Sequence, residues 1–359
     1  VLVVAPSALD RPSTPQLRLL LDAMVRRPDV TVDVWFLRPI WYGDVLEPLP
    51  TSGRPPWTVD DLRTWPPGRA LEAIGLGRVA SGLRGLRLRR RLREVRPDLV
   101  LFDDGVGDRI LGPGEDRAVR VARMNADVSP AAGLEAVATD GIDLWLTVPG
   151  GPGPAGPGVE RSVSGLLGEH RWARGRADPE VRAGLRRAVG LDPDAFVVSG
   201  WGGTSWVDGP DLFVRALWAL EAHHGIRAHG LWVAIDPEPH DVARLEAEAA
   251  RCGIGDRFHL VTGDDELRLC GDAALLPYRC EGDAFVLDAL AAGLAVVAFE
   301  AVGWEDEGIA VVADLDVDAA AAALAAVDPS ARDARVEAAR HRLDPDGLVD
   351  ELLDLVARR

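Results

Sequence analysis

Two carboxylates, Glu281 and Asp288, bracket the most informative segment of this sequence. Leu275, Leu276 and Pro277 end an apolar run, Arg279 to Asp283 make a short turn around Gly282, and Ala284 to Ala292 favour helix. Gly293 suits a helix stop, and Ala295 to Phe299 suit a buried strand. A turn entering a helix aims backbone N–H groups and the positive end of the helix dipole at a ligand, which favours anions. Carboxylates accept hydrogen bonds from hydroxyls. The amides of Gly282, Asp283, Ala284 and Phe285 beside Glu281 and Asp288 therefore suit a sugar joined to a phosphate.

The elements that must position these groups have an alternating order. Val1 to Ala5 read as a strand, Gln16 to Arg26 as a helix opened by Pro15, and Val30 to Leu37 as a second strand. Residues 38–77 are rich in Pro, Gly and Trp and read as a long irregular excursion. Arg78 to Arg96 form an Arg-rich helix, followed by strands at Asp98 to Asp103, Ala118 to Met124 and Ile142 to Thr147. Val148 to Gly158, dense in Gly and Pro, marks a flexible loop near a domain boundary. A helix at Glu180 to Val189 precedes a second strand series: Phe196 to Ser199, Leu231 to Ile235, His259 to Val261, Ala273 to Leu276, Ala295 to Phe299 and Ile309 to Val312. Val317 to Arg359 read as helical. Alternating strands and helices imply parallel, doubly wound sheets.

Composition narrows the function classes. A chain of 359 residues accommodates two domains, each with its own core. The formal net charge of −17 argues against a nucleic-acid ligand, which needs a basic face. No apolar run approaches the roughly 20 residues that span a bilayer. Val1 to Ala5 lack the basic start of a secretory signal, and without an initiator Met the numbering is expected to begin after a trimmed end. Cys252, Cys270 and Cys280 form no zinc-type cluster and suit a reducing cytoplasm. Lysine is absent, so Arg carries all the fixed positive charge, as the coding bias of a GC-rich bacterial genome would produce.

The segment from Pro277 to Ala298 resembles the donor-site signature of family 4 of the retaining glycosyltransferases, which have the GT-B fold. Pro277, Arg279, Glu281, Gly282, Ala289, Ala291, Gly293, Val296, Val297 and Ala298 fall in step with it. Two departures stand out. The family's two acids are spaced one residue further apart, and its second acid is Glu rather than Asp. A second stretch, Val197 to Leu217, is similar to the family's glycine loop and following helix through Trp206, Gly209, Asp211, Leu212 and Phe213. The resemblance implies an α/β chain of two Rossmann-like doubly wound domains facing across a cleft. Residues 1–170 would form the acceptor domain and 171–359 the donor-binding domain, with the site facing both sets of strand C-termini.

It further implies transfer of a hexosyl group from a nucleotide-sugar donor to a small-molecule or lipid acceptor, with retention and with neither cofactor nor metal. Glu281 would take donor-sugar hydroxyls, Asp288 ribose hydroxyls, and Arg279 the phosphates. Where the family has basic residues against the diphosphate, this chain has Trp201, Val207 and Asp208. Three substitutes are open: Arg279 or Arg215 reaching in, an anion nest in Gly202, Gly203, Thr204 and Ser205, or a donor other than an ordinary diphosphate sugar. A catalytically degenerate partner or binding protein is the competing reading, and a sugar-nucleotide epimerase, also built from two Rossmann domains, is a third.

Val261, Thr262 and Gly263 are candidates to flank the nucleobase, or else a plain strand-end turn. Gly303 to Glu305 stand where the family has another donor loop. In the first half, Ser13 and Thr14 fall where relatives have a turn near both substrates. Asn125 or Asp127 would replace the family's His, or else serve as turn residues. Asp103 and Asp104 suit caps better than metal ligands. The arginines from Arg84 to Arg93 read as a solvated helix face, with peripheral membrane contact as the alternative. Trp41, Tyr42, Trp57 and Trp65 offer rings to an acceptor or pin the excursion to the body. His223 and His224 read as solvated.

Overall fold

In a computed structural model, the structure describes residues 1–5, 14–36, 57–58, 90, 92–102, 120–125, 144–147, 160–162, 168, 179–262, 266–278, 285–302 and 308–357. The chain divides into two compact units, Val1–Leu166 with Asp344–Arg359, and Leu167–Leu343.

The first unit holds a parallel sheet of seven strands: β1 (Leu2–Ala5), β2 (Asp33–Phe36), β3 (Trp57–Thr58), β4 (Leu99–Phe102), β5 (Arg120–Asn125), β6 (Leu144–Thr147) and β7 (Glu160–Ser162). Their order in the sheet is β3-β2-β1-β4-β5-β6-β7, so the winding reverses between β1 and β4. Helix α1 (Thr14–Arg26) carries Leu17, Leu20, Leu21 and Met24 on one stripe. That stripe packs on Val32, Val34, Leu99 and Leu101. The edge strands β3 and β7 fall in stretches read from sequence as irregular or left without an element. Two- and three-residue strands carry too few positions to show a period.

The second unit holds a parallel sheet of six strands: β8 (Val197–Gly202), β9 (His229–Ala234), β10 (Phe258–Thr262), β11 (Ala273–Leu276), β12 (Ala295–Phe299) and β13 (Ile309–Val312). Among the described residues six helices accompany it: α2 (Pro179–Ala188), α3 (Pro210–His224), α4 (Pro239–Arg251), α5 (Phe285–Ala291), α6 (Val317–Ala325) and α7 (Arg332–Arg342). The strand order is β10-β9-β8-β11-β12-β13, with the reversal between β8 and β11. Covered on both faces, its central strands read as unbroken apolar runs; every residue of β11 is buried. One face packs around Phe213 of α3, whose ring meets Trp232 of β9 edge-on at 5.3 Å. The other packs around α5, whose residues are all buried.

The last helix, α8 (Pro345–Ala357), belongs to the first unit, whereas the sequence placed it with the second. Leu348, Val349 and Leu352 join the α1 core, and Arg26 pairs with Asp346 at 3.1 Å. That pair is exposed, so the apolar stripe rather than the charge holds the helix. An amphipathic stripe shows that a helix packs, but not on which sheet.

At the N-terminal ends of β8 and β11 lies a buried polar knot. Asp272, 6% exposed, accepts from the Val197 amide at 3.0 Å and pairs with Arg186 at 2.9 Å. Arg186 also donates to the carbonyls of Cys270, Pro193 and Ala195. Burial pushes the neighbouring Cys270 thiol up to about 11 and the Arg332 guanidinium down to about 10. This end of the sheet is braced.

Candidate functional site

The reversal between β8 and β11 sets the C-terminal ends of these strands side by side, and in an open α/β sheet such a switch point forms a crevice. Two loops meet there: residues 203–209 after β8, and Pro277-Tyr278 after β11. Gly209 joins them. Its φ is +74°, and a Cβ at this position would lie 2.0 Å from the Pro277 carbonyl oxygen. Only glycine has both the backbone freedom and the missing carbon that this approach requires. Tyr278, 6% exposed, donates its Oη hydrogen to the carbonyl of Trp201, near the end of β8, tying the loop after β11 to that strand as well. At Gly202, φ +147°, a Cβ would lie 3.1 Å from the Tyr278 ring.

Behind these loops sits a buried charge pair. Asp288, on α5, is 7% exposed and bonded to Arg268 of the 3-10 turn Leu267–Cys270. The Arg268 guanidinium lies 4.7 Å from the centroid of the Trp201 ring and 5.4 Å from that of Phe285. A guanidinium over aromatic faces gains cation–π attraction, most strongly over Trp. Trp201, which stands where the resemblance predicts a cation, thus holds one by its ring. Asp288 thus already has a charged partner.

The glycine loop carries its own anchors. Thr204, 3% exposed, accepts through Oγ1 from the Glu238 amide at 3.2 Å. Its carbonyl accepts from Arg244 of α4, also at 3.2 Å. Arg244 leans on Asp241 at 3.4 Å. The Asp208 carboxylate folds back over the glycines: it accepts from Ser205 Oγ at 2.6 Å, and a Cβ on Gly203 would lie 2.6 Å from its Oδ2. Among the described residues Asp208 has no ion pair. Arg215, one of the expected substitutes for the absent cations, is 55% exposed in its side chain and pairs with Glu248 at 3.0 Å.

Of the other expected site residues, Val261 and Thr262 end β10, with Thr262 exposed. Phe285 opens α5 fully buried. In the first unit, Thr14 begins α1 and Asn125 ends β5. Ser13, Asp127, Gly263, Arg279, Glu281, Gly282, Asp283 and Ala284 lie outside the described residues. The structure therefore brings together Gly202, Gly203, Thr204, Phe285 and Asp288. To these it adds Arg268, Arg244 and Tyr278, which the sequence did not single out. Arg268 had a signal, since it is an arginine between two leucines just before a buried strand. Arg244 had none, being one of many helix arginines.

No helix among the described residues is long and apolar enough to cross a membrane. No protein-family model matches the sequence, and no curated protein matches it significantly. Solved structures do match along the whole chain. HepE of Anabaena in complex with UDP is similar at a TM-score of 0.63 and 14% identity, over 98% of this chain and 99% of that one. A glycosyltransferase of Rickettsia africae ESF-5 is similar at 0.58 and 10% identity, over 99% and 97%. WaaG, a glycosyltransferase involved in lipopolysaccharide biosynthesis, is similar at 0.52 and 17% identity, over 99% of each. The fold is GT-B.

Proposed function

We propose that the chain is a glycosyltransferase that moves a sugar from a nucleotide-activated donor to a small-molecule or lipid acceptor in the cytoplasm. The observation that carries this reading is the meeting of the glycine loop after β8 with Pro277-Tyr278 after β11, the strand that precedes the acid-bearing helix α5, at the switch point. Structural neighbours support it: HepE is solved with UDP and with UDP-glucose. Glu281 is assigned to the donor-sugar hydroxyls, Asp288 to the ribose, and the amides of Gly282 to Phe285 with Arg279 to the phosphates. Val261 to Gly263 take the base side. These roles, those of Ser13, Thr14, Asn125 and Asp127 toward acceptor and reaction, and retention of configuration rest on the resemblance to family 4. Donor amides aimed at a leaving diphosphate would stabilise charge as it develops. The reading requires neither metal nor cofactor.

Calorimetric titration of the full chain with nucleotides and nucleotide sugars tests it. The expected result is saturable binding that Glu281→Ala and Asp288→Asn each weaken by about tenfold or more, as loss of a charged hydrogen-bond acceptor does. Release of free nucleotide when an acceptor is added separates a transferase from an epimerase. One observation favours the second reading, a non-catalytic relative: Asp288 is buried and already paired, and residues 203–209 contain no cation. Absence of any nucleotide binding, together with stable association with another protein, would establish that reading instead.

A further inference from the structure

We propose that Asp208 sets the phosphate charge this site accepts, acting as a built-in anion that disfavours nucleoside diphosphates. The inference rests on the donor-site reading above and concerns the same loop. Its basis is where the carboxylate sits. Asp208 lies two residues after Trp206 in the loop and turns back over the loop's own glycines. Its Oδ2 is 2.6 Å from the place a Gly203 Cβ would occupy, and its Oδ1 and Cβ are 3.5 Å from the corresponding place on Gly202. Ser205 Oγ holds it there with a hydrogen bond of 2.6 Å. The glycines leave their backbone open to close approach, and the group that approaches is the chain's own anion.

Among the described residues no charge cancels it. Among the described residues Asp208 has no ion pair. Arg268 is bonded to Asp288, Arg244 is turned to the Thr204 carbonyl and Asp241, and Arg215 is turned to Glu248. A phosphate brought to these glycines meets a like charge within a few ångströms, in a crevice whose effective dielectric is well below that of water. The penalty grows with phosphate charge: least for a nucleoside, larger for a monophosphate, largest for a diphosphate. Removing the charge alone should relieve that penalty without loosening the loop. Asn keeps an oxygen to accept from Ser205, so Asp208→Asn retains the loop's hydrogen bond while abolishing the repulsion.

The test is a calorimetric comparison of the full wild-type chain, Asp208→Asn and Ser205→Ala. UDP, ADP, GDP and dTDP are screened first, and the tightest binder is then compared with its monophosphate and its nucleoside. Asp208→Asn should bind the diphosphate about tenfold or more tighter than wild type, the size expected for one charge at this range after solvent screening. The monophosphate should gain less and the nucleoside nothing. The diphosphate gain should shrink at high salt. Ser205→Ala, which frees the carboxylate without removing it, should not reproduce the gain. Equal diphosphate affinity in wild type and Asp208→Asn overturns the proposal, as does an equal gain for nucleoside and diphosphate. If none of the nucleotides or nucleosides binds any of the three proteins, the donor-site reading itself falls and takes this inference with it.

Discussion

Replacing Gly209 by alanine should be among the most damaging single-methyl changes in the second unit, and the structure supplies both the size and the control. Gly209 caps the start of α3 with φ +74°. An L-residue in that conformation costs roughly 1–2 kcal/mol through its Cβ alone. The new carbon would also lie 2.0 Å from the Pro277 carbonyl oxygen and 2.8 Å from its carbon. To reach the 3.4 Å of ordinary contact, backbone must retreat by about 1.4 Å, and overpacking of this kind costs a further ~1–3 kcal/mol. The total is about 2–5 kcal/mol. Gly225, at the other end of the same helix, has φ +70° and nothing within 4 Å of its Cβ position. Gly225→Ala should therefore cost only the conformational share, about 1–2 kcal/mol. Urea unfolding followed by far-UV circular dichroism measures both losses, and because both glycines lie in one unit the same transition reports on each. Equal losses for the two variants would refute the claim that the approach of Pro277 requires glycine at position 209.

Buried and half-buried polar groups of the second unit give two more expected outcomes. His229 and His259 face each other with Nδ1 and Nε2 3.2 Å apart; burial holds both below the ordinary 6.5, helped for His229 by the positive charge of Arg257 and for His259 by His229. A folded-state value below the unfolded one means the unfolded chain binds more protons, so this contribution is complete above about pH 6.5 and is lost as pH falls below it. Denaturant midpoints measured across pH 5–8 should show that loss, and His229→Gln with His259→Gln should reduce it; an unchanged profile in the double variant would contradict the assignment. Asp272→Ala should destabilise by about 3–5 kcal/mol, because it leaves the Arg186 charge, 2% exposed, without its carboxylate. A loss below about 1 kcal/mol in the same urea assay would show that the three carbonyls around Arg186 suffice to hold it.

Much of the second unit was legible because buried parallel strands write themselves as apolar runs. Ala273–Leu276, Ala295–Phe299 and Ile309–Val312 were expected at the bounds the structure shows, with Gly293 stopping the helix before β12. The strand and helix positions of α1, β2, β4, β5 and β6 were also foreseen to within a few residues. The elements that failed to show were short or distant. β3 and β7 are too brief for a period, and α8 is a legible helix whose destination is not local information. Within the site, Asp288 was picked out by residue type and the glycine loop by the resemblance to family 4. Arg268 was not, because its relevance depends on Trp201 and Phe285 lying close to its guanidinium.

The sequence by itself determined the alternation of strands and helices, the two successive series, and the residue types available to bind hydroxyls and anions. These are properties of neighbours along the chain: hydrophobic period, glycine punctuation and the charge of each side chain. Only the tertiary structure decided that β11 returns beside β8, and the close contacts at the C-terminal ends of these strands depend on that reversal. It sets Pro277 against Gly209 and Tyr278 against Trp201. Position 201, where the resemblance implies a cation, carries instead a ring with the Arg268 guanidinium of the turn before β11 held over it. A charge's effect depends on distance through space, and the topology of the sheet sets that distance.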